Sequence, residues 1–276
     1  QRRRQSAEEG TEGSRGVTGG SASLIGVETD GAIAAIILNR PERHNSLIPE
    51  LLSRLIDALE ELRSNHTTRA VVLRAAGRSF SSGGDVRGFW EARDRIAAYA
   101  DEIVGLLNQT MLTMMRLPLP IIGTVHGPVT GGSLGLVLAC DIVLVSPEAS
   151  FTPWYGPVGF APDGGWKALL PDIIGRDRVD DILAANRSIS AAEAVAWGMA
   201  NELVGVGMIR EEAVLVARRI AGRTGGTDHD LKARSPGEVA AAAARLEEER
   251  RAFVLQVATD EASDGMAHYL GVDPGG

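Results

Sequence analysis

The chain has 276 residues, 44% of them apolar, and a formal net charge of −8. That length suffices for one large domain or two small ones around a sizeable core. The acidic balance argues against a general nucleic-acid binder, which would carry a basic footprint, and no apolar run is long and uninterrupted enough to span a bilayer. Only Lys167 and Lys232 of the 28 basic residues are lysines; with the many Ala and Gly, this reads as genomic composition and not as function. The single cysteine, Cys140, excludes an intramolecular disulfide, so a reducing, cytoplasmic setting is the simplest expectation. Residues 1–23 have basic residues with no apolar stretch after them, so they are no secretory signal. They read as a disordered tail or an expression remnant.

Order is expected from about Leu24. The run AIAAIIL (32–38) predicts a buried strand, ended by the turn-rich NRPERHN. Apolar residues at 51, 52, 55, 56, 59 and 62 then make the stripe of an amphipathic helix, with Pro49 well placed in its first turn. AVVLRA (70–75) is a second buried strand, GRSFSSGGDV a loop, and 91–116 mostly helix. IIGTV (121–125) is a strand, HGPVTGG a loop, SLGLVLAC a short apolar helix and DIVLV (141–145) another strand. This order suggests parallel pairing in an α/β domain. Beyond about 165 the pattern turns helical. Ser190 and Glu193 form a capping box and Gly198 suits the left-handed position that stops that helix. Two further helices are predicted over 208–223 and 236–258. The second is rich in Ala, Arg and Glu with a modest apolar face, as an assembly surface often is. Neither an internal repeat nor metal-ligand spacing appears among the five His and one Cys.

Two loops that follow buried strands carry paired small residues, SSGGD (81–85) and TGGS (130–133). Glycine removes the Cβ that would keep backbone N–H groups away from a ligand. The second loop also opens a helix, whose first N–H groups are unpaired and whose dipole favours negative charge. Facing one another, the loops would form a two-donor oxyanion hole; two tight turns would look the same.

The segments GAIAAIILNRPERHNSL, AVVLRAAGRSFSSGGDV, LPLPIIGTVHGPVTGGSLGLVLACDIVLVSPEASF, VGFAPDGGWKALLPDIIG and ISAAEAVAWGMANELV resemble, in order and spacing, those of the enoyl-CoA hydratase/isomerase (crotonase) superfamily. DEASDGMAHYL (260–270) is similar to its C-terminal signature. The resemblance implies an α/β fold, a spiral of ββα units over 24–205 followed by a helical trimerisation region over 206–276. It implies an acyl-CoA substrate whose enolate is stabilised, with coenzyme A part of the substrate, no separate cofactor, no metal, and a homotrimer or hexamer (a dimer of trimers). Carried over residue by residue, the oxyanion donors fall on the N–H groups of Gly84 and Gly132. Ser82, Gly83 and Asp85 lie on the same CoA-binding loop, and Arg43 is the candidate for the CoA phosphates or else an exposed solvated arginine.

The departures from the family pattern are chemical. Hydratases of this family use two glutamates, and the matching positions here are Gly135 and Tyr155. Isomerase-type members carry a PD loop, which GFAPDGGW resembles, and Asp163 is the remaining carboxylate. One carboxylate suffices for a 1,3-proton shift. The bulky Trp154, Tyr155, Phe160 and Trp166 would desolvate Asp163 and raise its basicity; the other reading is that Asp163 caps a helix beginning at Gly164. His126 is expected to be structural and His44 to face pantetheine or solvent. Trp90 would narrow the acyl pocket, Tyr155 would pack or bond the acyl part, and Cys140 belongs to the core. The leading expectation is an isomerase. A hydratase or thioester hydrolase with non-standard residues, and a non-catalytic CoA-thioester-binding protein, are the alternatives.

Overall fold

The computed structural model describes residues 23–222 and 234–273, so the 1–23 tail lies, but for Ser23, outside the described residues. Strand β1 (Ile25–Asp30) turns at Gly31, φ +59°, into the antiparallel β2 (Ile33–Leu38). Helix α1 (Pro49–Ser64) starts with proline where its missing N–H costs nothing, and buries Leu51, Leu52, Leu55, Ala58, Leu59 and Leu62. Then come β3 (Ala70–Ala75), α2 (Val86–Glu91), α3 (Ile96–Arg116), β4 (Ile121–Val125) and β5 (Pro128–Thr130). Next are α4 (Leu134–Leu138), β6 (Ile142–Val145), β7 (Ser150–Thr152), α5 (Tyr155–Val158), α6 (Pro171–Ile174) and α7 (Arg176–Ala184). The chain closes with β8 (Ile189–Ser190), α8 (Ala191–Ala196), β9 (Glu202–Leu203), α9 (Ile209–Ala221), α10 (Pro236–Val257) and α11 (Asp260–Leu270).

The larger sheet has the order β1-β2-β3-β4-β6-β9, parallel from β2 onward. Its inner strands are near-continuous apolar runs because both faces are covered. On β2, Ala34, Ile36 and Leu38 join the main core with α1, α3 and α10, while Ile33 belongs to a second core under α9. The smaller sheet, β5-β7-β8, receives the chain when it leaves the larger one after β4 and again after β6. This alternation between two sheets is the expected mixed α/β spiral.

Several expectations need correction. The helix assigned to 91–116 begins at Ile96, after a turn at Arg93–Arg95, and α2 forms inside what reads as loop. HGPVTGG contains β5. The capping box at Ser190 and Glu193 is present, and Gly198 has φ +81°. The helix expected over 236–258 packs along α3, where the buried Asn108 side chain donates to the Leu246 carbonyl at 3.0 Å. Helix α11 packs on α2 and α5. No helix among the described residues is long and apolar enough to cross a membrane.

Candidate active site

The two glycine loops lie side by side because they prolong the smaller sheet. Leu47 bridges Gly84, and Ser81 bridges Val129 of β5, both in parallel. The Leu47 amide donates to the Gly83 carbonyl at 2.7 Å, and the Asp85 amide to the Leu47 carbonyl at 3.0 Å. A trans peptide points its C=O and N–H in opposite directions. Fixing the Gly83 carbonyl on Leu47 therefore turns the Gly84 N–H the other way, toward the cavity that Gly84 lines. The Thr130 amide bonds the Ser81 carbonyl at 3.0 Å, and the Ser133 hydroxyl lies 3.1 Å from the same oxygen. Gly83, at φ +82°, approaches so closely that a Cβ would lie 2.6 Å from the Thr130 carbonyl; no other residue fits. Gly131–Ser133 form a single 3-10 turn entering α4, so the first amides, Gly132 among them, have no partner within the helix.

Asp163 completes the site. It is 6% exposed and reaches the cavity beside Gly132: a Cβ on that glycine would lie 2.7 Å from both carboxylate oxygens. The Tyr155 hydroxyl donates to Oδ1 at 2.7 Å and leaves Oδ2 outside that bond. Burial pushes the Asp163 carboxyl up to about 6, and the Tyr155 hydrogen bond pulls partly against it. Tyr155 is itself held well above 10, by burial and by the Asp163 charge, so its phenol stays a donor. The helix-cap reading of Asp163 is overturned. Residues 164–170 are turns, not helix, and no amide of that stretch donates to the Asp163 carboxylate.

The amides expected to need a cap are instead held from far away in sequence. Glu249 of α10, 6% exposed, accepts from the N–H of Gly165 at 2.8 Å, Lys167 at 2.6 Å and Ala168 at 2.9 Å. Burial pushes its carboxyl up to about 7 against these bonds, and the nearby Asp163 adds to the rise. Sequence reasoning missed Glu249, because it stands inside the charged run RLEEERR and nothing local marks it as inward-facing.

The cavity is apolar and small, about 60 Å³. Its walls include Leu52, Ile103, Val104, Leu107 and Val158, and it meets the aromatic cluster of Phe89, Phe160 and Phe253, whose ring centroids are 5.2–5.8 Å apart. Of the aromatic residues expected around Asp163, Trp154, Tyr155 and Phe160 line the cavity. Trp166 packs behind it, fully buried, with its indole N–H on the Gly131 carbonyl at 2.9 Å. Trp90 does not line it; Phe89 does, and Trp90 lies under the Arg93 guanidinium. Tyr155 bonds Asp163 in place of an acyl group. At the Gly135 position, a Cβ would meet Met111 Sδ at 2.5 Å and the Gly164 carbonyl at 2.9 Å, so a glutamate has no room.

An open groove of about 630 Å³ runs outward past Ser82, Gly84, Arg43, His44 and Arg87. The side chain of Arg43 is 41% exposed and pairs with Asp85 at 3.3 Å. Asp85 is taken: Arg40 binds it at 2.8 Å and the Ser46 hydroxyl lies at 3.3 Å. Burial opposes the charge on Asp85, but the Arg40 hydrogen bond and charge, with Arg43, hold its carboxyl below the usual 3.8. Asp85 thus shapes its loop; it is absent from the apolar cavity's lining and lines the outer groove. Ser82 is exposed at the mouth. His44 sits between Ser79 and Arg78 at 3.0 Å each, and His126 donates to the Gly77 carbonyl at 2.8 Å, a structural role. Cys140 is a core residue. Among the described residues no group of three His, Cys, Asp or Glu could hold a metal ion.

Residues 28–272 match the sequence profile of the enoyl-CoA hydratase/isomerase family. A Mycobacterium bovis protein that bears an enoyl-CoA hydratase name is 36% identical, over 69% of this chain and 68% of its own. A 4-chlorobenzoyl coenzyme A dehalogenase of an Arthrobacter species is 30% identical, over 71% and 72%. The solved enoyl-CoA hydratase of Mycobacterium avium subsp. paratuberculosis superposes with a TM-score of 0.80 at 25% identity, over 90% of this chain and 99% of that one. The fold is the crotonase fold, and the chain belongs to the enoyl-CoA hydratase/isomerase family.

Proposed function

We propose that the protein binds an acyl-CoA thioester and moves a proton along its acyl part, as an enoyl-CoA isomerase does. The thioester carbonyl oxygen would sit on the N–H groups of Gly84 and Gly132. Asp163 would take a proton from C2 of a 3-enoyl group, giving a dienolate, and return it to C4, giving the 2-enoyl thioester. Two fixed N–H donors serve an oxygen that gains its full charge only during reaction, at about 3–4 kcal/mol each. The observation that carries this reading is that, among the described residues, Asp163 is the only carboxylate lining the cavity. A carboxyl near 6 is mostly ionised at neutral pH and still basic enough to accept a carbon-bound proton. Coenzyme A enters as part of the substrate. The groove at Arg43 and Arg87 gives it a path, and no separate cofactor is required. A cytoplasmic trimer or dimer of trimers belongs to the same reading; Leu255, 75% exposed on α10, supports an assembly face there.

Hydration would need a water-activating group as well as a proton donor, and neither family glutamate is here. Dehalogenation is a second reading, favoured by the Arthrobacter relative and by Asp163 Oδ2, which is free of the Tyr155 bond. Incubation in D2O with but-3-enoyl-CoA, but-2-enoyl-CoA and 4-chlorobenzoyl-CoA separates the possibilities. An isomerase converts the first to the second, with deuterium at C4 in the fraction of turnovers in which the proton on Asp163 exchanges with solvent before its return. A hydratase adds water, a hydrolase frees CoA, a dehalogenase releases chloride, and binding with no turnover leaves a thioester-binding protein.

Tyr155→Phe tests the electrostatics. Removing the hydroxyl deletes the bond that lowers the Asp163 carboxyl, so its value rises above about 6. The activity needs the ionised form. The acid limb of the kcat/KM–pH profile should therefore move to higher pH, with activity at pH 6 losing more than activity at pH 8. A limb that stays or moves down contradicts this assignment.

A further inference from the structure

We propose that Glu249 is a positioning residue for the proton transfer: by holding the turn after Asp163 it keeps that carboxylate over Gly132. The inference rests on the reading just given, and it concerns an element, α10, that sequence reasoning assigned to assembly. Glu249 bonds three backbone amides through both oxygens: Oε1 takes Lys167 and Ala168, Oε2 takes Gly165. Among the described residues no other side chain bonds these amides. Without Glu249 two buried donors, Gly165 and Ala168, and the part-buried one of Lys167 would lose their partner, which a turn relieves by moving.

Movement of this turn reaches the chemistry directly. Gly164, at φ +61°, lies so close to Gly132 that a Cβ there would be 2.2 Å from the Gly132 carbonyl. Gly165, at φ +89°, packs on Leu138 and Leu169. The Asp163 carboxylate and the Gly132 amide are therefore held in one backbone contact, and Glu249 holds the amides that follow it, beside the Trp166 indole on the Gly131 carbonyl. Four residues further on the same helix, Phe253 lines the cavity, so α10 fixes both the base and the acyl wall. A displacement of about 1 Å in a reacting group costs on the order of 100-fold in rate.

The test compares Glu249→Gln, Glu249→Ala and the exposed neighbour Glu248→Gln. The Gln side chain keeps an oxygen for Lys167 and Ala168 but turns an NH2 toward the Gly165 amide, so it is a graded loss. The expected result with but-3-enoyl-CoA is a kcat lowered about 10-fold in Glu249→Gln and about 100-fold in Glu249→Ala, with KM within twofold and Glu248→Gln unchanged. A general loss of structure would instead lower kcat in step with the folded fraction, and unchanged kcat in a folded Glu249→Gln overturns the proposal. A crystal structure of Glu249→Gln reads the placement itself, whatever the wild type turns over. Asp163 should shift from Gly132 and its bond to Tyr155 should lengthen; an Asp163 that stays put overturns the proposal. Failure of wild-type turnover overturns only the isomerase reading. Should Glu249→Ala not fold, Glu249→Gln carries both measurements.

Discussion

Asp163→Asn should lose the exchange of solvent deuterium into but-3-enoyl-CoA by about 10²- to 10⁴-fold, the usual contribution of a positioned general base. Asparagine matches aspartate in size and can still accept from Tyr155, whose hydroxyl lies 2.7 Å from Oδ1. It cannot take up a proton. Because the oxyanion amides and the apolar wall remain, affinity for the thioester should change little, and the loss should fall on kcat. Stability gives an independent mark. The Asp163 carboxyl stands at about 6 in the folded chain against an ordinary 3.8. The folded state thus holds its proton more tightly. Its contribution is fully favourable below the ordinary value and is lost as pH rises through about 6. At pH 7 the wild type carries a cost of about 3 kcal/mol from that ionisation, which asparagine escapes. The variant should melt at or above the wild-type temperature at pH 7 while being nearly inactive, a pairing expected where a site is tuned for chemistry at the expense of stability. Retained exchange would mean that some other group moves the proton.

The larger sheet was legible because its strands, buried on both faces, read as apolar runs: AVVLRA and IIGTV fall on β3 and β4 to the residue. Edge strand β1, IGVETD, was not, since only Ile25 is buried, Gly26 is half-buried and residues 27–30 face solvent. Strand β5 was hidden in HGPVTGG because three residues carry no periodicity. At the site, the glycine pairs announced close backbone approach, and the structure supplies it at Gly83 against Thr130. What the sequence could not resolve was direction. Asp163 in PDGG has a local signature of a cap, and the cap is supplied by Glu249, more than eighty residues later in the chain. Trp90 and Phe89 are neighbours in sequence, but only Phe89 turns into the cavity. Local pattern gives spacing along an element; which side of an irregular loop meets the core is decided by partners distant in sequence.

Gly132→Ala should be as damaging as loss of the base, and for a different reason. Alanine keeps the Gly132 N–H, so a pure donor count predicts no effect. Its Cβ, however, would lie 2.7 Å from both Asp163 oxygens and 2.9 Å from the carboxyl carbon, distances that real Cβ contacts do not show. The carboxylate cannot swing aside freely. Tyr155 holds Oδ1, and the next residue, Gly164, is pressed on the Gly132 backbone itself. Something must move, and either the amide or the base leaves its place, for a loss of about 100-fold or more in kcat together with a lowered melting temperature from the overpacked contact. Gly84→Ala provides the contrast. There the added Cβ meets only the Phe89 ring edge at 3.0 Å, which a small ring rotation relieves, so a loss of several-fold is expected from the narrower cavity. Steady-state kinetics on the two variants side by side would decide the matter: equal losses, or a worse Gly84→Ala, would show that Asp163 does not sit over Gly132 during the reaction.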